Sequence, residues 1–232
     1  MRILLVGYGK MGRLVGELAP QYGCEVVGVM DPQSPSHGGG PDAPQWNGVD
    51  VAIDFSIPAV VVGNAAALAR RGINLVIGTT GWQNEESSVR QAVRDGRVGA
   101  VVAPNFSTGA VLFEALVAQA ATLFAGQTEF GAFLHEAHHA TKKDAPSGTA
   151  LLLKQTMERA GFPRSIDISS TRVGFIPGTH TIGFDGPAET VTLSHTARDR
   201  TAFARGAIAA AKWVTGKRGW FNMRDVLGIG PI

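Results

Sequence analysis

The 232-residue chain is 44% hydrophobic and 17% charged, with a formal net charge of +2 and its Lys and Arg residues dispersed without a long basic run. This is a globular composition that argues against disorder and against a nucleic-acid footprint. Cys24 is the single cysteine, which excludes an intramolecular disulfide and a cysteine-based zinc cluster within one chain and fits a reducing cytoplasm. The apolar run of the N-terminal MRILLVGYGK is too short for a signal-peptide core, and ALVAQAATLFAG at 115–126 carries a Gln and few large residues, so no membrane span is expected.

In the first hundred residues, RILLV (2–6), EVVGVM (25–30), VDVAIDF (49–55), NLVIG (74–78) and VGAVVA (98–103) are continuous apolar runs of strand length. Strands covered on both faces look like this. Between them KMGRLVGELAPQYG, PAVVVGNAAALARRG and NEESSVRQAVRDG have helical spacing and end at Gly or Pro. The alternation predicts a Rossmann-like, doubly wound parallel sheet, with PQSPSHGGGPDAPQ (32–45) as a flexible surface loop.

The rhythm changes after about residue 107. FSTGAVLFEALVAQAATLFAG reads as one long helix, EFGAFLHE as a strand, and SGTALLLKQTMERAG (147–161) as a helix with Ser147 as N-cap and Gly161 as its stop. SIDISSTRVG, THTIGFDG and ETVTLSHTAR are Thr-, Ile- and Val-rich strands, so a second, α+β domain with an antiparallel or mixed sheet is expected. RTAFARGAIAAAKWVTGKRG (200–219) is a closing helix, and WFNMRDVLGIGPI reads as packed irregular structure.

Gly7-Tyr8-Gly9-Lys10-Met11-Gly12 follows the first strand and opens the first helix, the context that a dinucleotide loop requires. Its glycines permit a tight turn and let backbone N–H groups approach a pyrophosphate at the helix start. Asp31, 19 residues after Gly12 at the end of the second strand, is placed to accept bonds from ribose hydroxyls. The residue after it is Pro32, not a base, so NADH is the expected cofactor, with NADPH accepted less well.

The densest chemistry lies in HEAHHATKKDAPSGTA, residues 135–150. His135-Glu136-x-x-His139 spells a helical zinc site, but Gly131 upstream and Pro146 downstream break helical spacing, and Lys142 and Ala145 stand where an extended zinc pattern has Gly and His. No metal is expected. The stretch reads better as an anion cradle. Ser147-Gly148-Thr149 opens a helix with free N–H groups and two hydroxyls, while Lys142 and the adjacent histidines supply positive charge and transferable protons. The plain alternative is a solvated charged loop with Ser147 as an ordinary cap.

Glu136-Ala137-His138-His139-x-x-Lys142-x-Asp144-Ala145-Pro146-Ser147-Gly148-Thr149-Ala150 resembles the signature of the 4-hydroxy-tetrahydrodipicolinate reductase family of lysine and diaminopimelate biosynthesis. Asp54-Phe55-Ser56, Gly78-Thr79-Thr80-Gly81, Ala103-Pro104-Asn105-Phe106-Ser107 and Arg200-x-x-Phe203-Ala204-x-Gly206-Ala207 follow in the family's order, over nearly the whole chain. The resemblance implies a dinucleotide-binding domain of residues 1–107 with 200–232, and a substrate and oligomerisation domain of 108–199 that builds a homotetramer. It implies that Gly7 to Gly12 and Asp31 hold the adenosine half of the cofactor, and that Gly78, Thr79, Thr80 and Ala103, Pro104, Asn105, Phe106 line the nicotinamide end. It implies His138 as general acid/base, Lys142 as proton donor, and His139, Ser147, Gly148 and Thr149 with Lys142 around a dicarboxylate cyclic imine. Two departures stand out: the glycine loop is one residue shorter than G-x-x-G-x-M-G, and Ala140 and Thr141 stand where Arg and His are frequent. The competing expectation is another two-domain NAD(P)-dependent oxidoreductase acting on an amino-acid-like substrate; a nucleotide-sensing regulator would have little use for a carboxylate cradle with proton donors.

Overall fold

The structure, a computed structural model, describes residues 1–230. The chain divides into two compact units, one of Met1–Thr108 with Arg200–Ile229 and one whose body is Gly109–Asp199. The first unit runs β1 (Arg2–Val6), α1 (Lys10–Leu18), β2 (Glu25–Met30), β3 (Val51–Asp54), α2 (Pro58–Arg70), β4 (Asn74–Ile77), α3 (Glu86–Gly96) and β5 (Gly99–Val102). The chain continues through α4 (Thr108–Ala125), β6 (Gly131–His138), α5 (Gly148–Arg159), β7 (Ile166–Arg172), β8 (Thr179–Asp185) and β9 (Thr190–Thr196), and returns with α6 (Thr201–Val214), β10 (Gly219–Phe221) and α7 (Met223–Val226).

In the first unit the sheet order is β10-β5-β4-β3-β1-β2, with every pair parallel. Strand order reverses between β1 and β3, so the loops leaving their carboxyl ends open a crevice there. Leu4 and Val6 pack into one cluster with Val61, Leu68, Val89 and Val93 of α2 and α3, and α6 packs on β3, β4 and β5 with α1 alongside it. Strands buried on both faces explain the unbroken apolar runs.

The second unit has the sheet order β7-β6-β8-β9, parallel between β6 and β7 and antiparallel elsewhere, the mixed sheet expected. One face carries Leu134, Ile182 and Phe184 under Phe113, Val117 and Ala121 of α4 and Ala150, Leu153 and Met157 of α5. The other face is rich in hydroxyls, with Thr179 paired to Thr196 at 3.0 Å and Thr181 to Ser194 at 2.9 Å, beside a partly exposed Phe133.

Four local readings change. The first helix ends at Leu18, because Pro20 has no amide to continue it, and Ala19–Tyr22 closes as a 3-10 turn on the left-handed Gly23. The 32–45 segment is not a free loop: Gly38 N–H donates to Val29 O at 2.8 Å, and the neighbouring Trp46, 2% exposed, donates from its indole to Gly40 O. The tail expected to be irregular forms β10 on β5, followed by α7 behind an Asn222–Asp225 capping box; Pro231 and Ile232 lie outside the described residues. Against expectation, α4 is long and apolar enough by length and composition to cross a membrane, with 18 residues at a mean hydropathy of 1.5, since its alanines count as apolar and its Glu and Gln lower the mean only slightly. Its Phe113 and Val117 are buried, while Leu112, Leu116 and Leu123 are exposed.

Close approach makes two glycines tests of this packing. A Cβ on Gly206 of α6 would lie 1.7 Å from Phe106 O, a backbone atom, whereas a Cβ on Gly63 of α2 meets nothing within 4 Å. Gly206→Ala is therefore expected to destabilise by about 1–3 kcal/mol or more, and Gly63→Ala to gain up to about 1 kcal/mol of helix propensity. Chemical denaturation of both variants checks the contrast; equal midpoints would contradict the contact.

Candidate active site

In the first unit Gly7 takes φ +83°, and a Cβ there would lie 2.6 Å from Phe55 O; a Cβ on Gly12 would lie 2.1 Å from Gly7 O. The first requirement sets the turn and the second lets α1 sit close on β1, while nothing crowds Gly9 at the helix start. Asp31 accepts from Tyr8 N–H at 2.7 Å and from Gln33 N–H at 2.9 Å, so it organises the loop that it faces. A cavity of about 480 Å³ opens here, lined by Gly7, Gly9, Asp31, Gln33, His37 and Ser56 among others. A second, of about 530 Å³, is lined by Lys10, Met11, Phe55, Ser56, Gly78, Thr79, Thr80 and Arg200.

These two cavities gather the expected loop, acid and Gly78 to Thr80, and Phe55 and Ser56 line both. The four residues 103–106 serve differently. Phe106 is buried and meets the Phe55 ring edge-on at 6.0 Å, Asn105 accepts from Ser107 N–H, and Ala103 N–H donates to Ile77 O. Buried Asp54 accepts from Ser56 N–H and Oγ and from Thr79 Oγ1, tying the ends of β3 and β4 together. Burial raises its pKa, and those three bonds oppose the rise. Sequence reasoning gave no role to Asp54, Ser56 or Arg200.

In the second unit β6 continues to His138, so the zinc spelling fails for a backbone reason. In an extended strand, positions four apart lie roughly 13 Å apart, not one helical turn. His135 Nδ1 instead meets Ser169 Oγ at 2.8 Å, and His139 Nδ1 meets Thr141 Oγ1 at 2.8 Å. Alternation puts Leu134, Glu136 and His138 on the covered face, and register brings His180 of β8 opposite Glu136 and Arg172 of β7 opposite His138. Glu136 has no exposed surface; one carboxylate oxygen accepts from Arg172 at 2.6 Å and the other is paired with His138 Nδ1. Burial pushes its carboxyl up, but bonds from Arg172 and Ser170 and the charges of His138 and Arg172 prevail and hold it at about 2.

Burial lowers the His138 pKa, and the charges of Lys142 and Arg172 add to the fall, while the charge and hydrogen bond of Glu136 oppose it without reversing it. His180 stands edge-on to His138 at 5.1 Å, with its Nε2 3.1 Å from Ser147 Oγ. Glu136, His138 and His180 offer ligand atoms within 4.8 Å of one another, but both Glu136 oxygens are already engaged by Arg172 and His138.

Beyond the strand, Lys142 Nζ holds both Asp144 oxygens at 2.7 and 2.9 Å. The Lys142 bond, then the backbone N–H groups of Asp144 and Gly148, lower the Asp144 pKa. Ser147 does cap α5, accepting from Ala150 N–H, but its hydroxyl is buried against His180; the exposed part of the helix start is Gly148, followed by a half-buried Thr149. The expected His138, His139, Lys142 and Ser147 to Thr149 thus share one end of the unit. His180 and Arg172 were missed, because only strand register brings them in.

Family comparison settles the relationship. The dihydrodipicolinate reductase C-terminus model matches residues 109–227 and the corresponding N-terminus model matches residues 1–106. The chain belongs to the dihydrodipicolinate reductase family. It is 32% identical over 238 residues to the 4-hydroxy-tetrahydrodipicolinate reductase of Christiangramia forsetii, covering 98% of both chains. It is 35% identical over 271 residues to that of Rhodopseudomonas palustris, covering 100% of this chain and 99% of the relative. Among solved structures, the dipicolinate-bound dihydrodipicolinate reductase of Paenisporosarcina sp. TG-14 superposes with a TM-score of 0.80 at 23% identity, covering 96% and 97% of the two chains. As a member of the dihydrodipicolinate reductase family, the chain is an NAD(P)H-dependent oxidoreductase.

Burial first, and then the charge of His138, push His180 down to about 4 from 6.5. The unfolded chain then binds this proton more readily, so the stability present above pH 6.5 is lost as pH falls toward 4. His180→Asn is expected to remove roughly 3 kcal/mol of that acid-side loss, read from denaturation midpoints at several pH values. An unaltered pH slope would place the titration elsewhere.

Proposed function

We propose that the chain reduces 4-hydroxy-tetrahydrodipicolinate to tetrahydrodipicolinate with loss of water, as a cytoplasmic homotetramer in lysine and diaminopimelate biosynthesis. Residues 1–107 with 200–232 would form the dinucleotide-binding domain and 108–199 the substrate and oligomerisation domain. The observation that carries the reading is the Lys142–Asp144–Gly148 arrangement: an ammonium and a helix-start amide already hold a carboxylate in the turn that follows the His138–His139 pair. A dicarboxylate substrate asks for the same partners. The Paenisporosarcina enzyme holds dipicolinate, a compound of that class.

The glycine turn fits a dinucleotide, since side chains at Gly7 and Gly12 would fill the space that the backbone needs. Gly7 to Gly12 and Asp31 would bind its adenosine half, and Gly78, Thr79 and Thr80, backed by Ala103, Pro104, Asn105 and Phe106, its nicotinamide end. Lys10 and Arg200 add positive charge to that cavity. When bound, the reduced nicotinamide supplies a hydride to the ring carbon of the unsaturated imine. His138 moves the proton at its Nε2 as general acid/base, Lys142 donates a proton and steadies a carboxylate, and His139, Ser147, Gly148 and Thr149 complete the cradle. No metal enters these roles. The outer face of the second sheet, rich in hydroxyls and carrying the partly exposed Phe133, is where we place the assembly surface. NADH is preferred, since Asp31 would meet a 2′-phosphate with like charge and Pro32 and Gln33 supply no cation.

A coupled assay tests this, in which pyruvate and aspartate semialdehyde are condensed by the synthase while NADH and NADPH oxidation is followed with and without a chelator. Oxidation insensitive to the chelator is expected; none with either cofactor would overturn the function. His138→Ala is expected to lower kcat by about 10² to 10⁴ with little change in cofactor binding. NADH should give the higher kcat/KM; an advantage for NADPH of about tenfold or more would reverse the cofactor assignment.

A further inference from the structure

Glu136 and Arg172 have no part in the reaction as described, yet Glu136 is fully buried beside it and the partly buried Arg172 is bonded to it. Arg172 Nη2 donates to Glu136 Oε1 at 2.6 Å and to the backbone carbonyl of Asp144 at 2.6 Å, while Nη1 donates to Thr171 O at 2.9 Å. One guanidinium therefore grips both the carboxylate behind His138 and the backbone of the turn whose Lys142 pairs with Asp144. A Cβ on Gly178 would come within 3.1 Å of His138 Nε2, so a residue without a side chain stands at the ring's other nitrogen.

We propose that Glu136 and Arg172 are positioning residues: Glu136 accepts Nδ1–H of His138 and so commits Nε2 to proton transfer, and Arg172 locks this carboxylate and the Lys142 turn in one frame. The inference rests on the reading of His138 and Lys142 as proton carriers. When the His138 imidazolium gives its Nε2 proton to the substrate, the neutral Nδ1–H tautomer remains, still bonded to Glu136, and solvent returns the proton. The groups facing His138 are Glu136 on its own strand, Arg172 on β7, His180 on β8 and Lys142 on the following turn; His195 lies beyond His180, and α5 covers the face with apolar Ala150, Leu153 and Met157. Of these, Glu136 is the group that raises the His138 pKa, so losing its charge moves that pKa further down.

Glu136→Gln keeps the volume and removes the charge. Its kcat should fall on the order of 10²-fold with KM and NADH affinity nearly unchanged, and the pH–rate limb assigned to His138 should move about one pH unit lower. Arg172→Lys keeps a cation without the two-armed grip, so kcat falls while the limb moves less. Ring ¹⁵N NMR of the wild-type chain should show His138 as the Nδ1–H tautomer at neutral pH, a measurement that needs no variant to fold. An Nε2–H tautomer, or a Glu136→Gln enzyme with wild-type kcat and pH profile beside an inactive His138→Ala, would overturn the positioning role alone. Full turnover in His138→Ala would instead overturn the parent reading, and this inference with it.

Discussion

An ionised carboxylate without accessible surface is the constraint around which the second unit is arranged. Removing Glu136 from water costs several kcal/mol unless both oxygens find partners. Arg172 meets one oxygen and His138 the other, each from a position fixed by strand pairing. The parallel pairing of β6 with β7 puts the guanidinium opposite His138, and the antiparallel pairing with β8 sets His180 beside Glu136. A slip of one residue in either register would turn these side chains to the hydroxyl-rich face and strand the charge. The same constraint pairs Nδ1 of the imidazole at the end of β6 with Glu136.

The first unit satisfies its constraint with backbone rather than charge. Three close approaches, of Gly7 to Phe55, Gly12 to Gly7 and Gly206 to Phe106, draw the crevice of the parallel sheet tight. Asp31 then accepts two loop amides, and Asp54 joins the β3 and β4 ends through Ser56 and Thr79. A loop bound from both sides presents its remaining amides in fixed directions, which is how a helix start holds a pyrophosphate without a dedicated cation.

Local signals were legible in the letters. The apolar runs of β1 to β5, the caps at Ser147 and Gly161, and the glycine turn all follow from pattern and propensity over a few residues. The tail was misread because its order comes from a distant partner, and the 32–45 segment, a surface loop as expected, is tied down by partners outside it. Trp46 is held by Gly40 and lies against Gly28 and Gly38, and β10 exists only by pairing with β5. The H-E-x-x-H spelling shows the converse: the same letters on a strand place the two histidines far apart and give each its own hydroxyl partner.

By itself the sequence determined the two folding patterns, the dinucleotide turn with its acid, and the stretch holding His138, His139, Lys142 and the Ser147-Gly148-Thr149 helix start. All are contiguous, and short-range sterics and periodicity govern them. Only the tertiary structure decided which distant partners those groups have: that Glu136 is buried between Arg172 and His138, and that the Ser147 hydroxyl faces His180. Arg172 and His180 lie 36 and 44 residues from Glu136 along the chain, and strand register alone makes them neighbours.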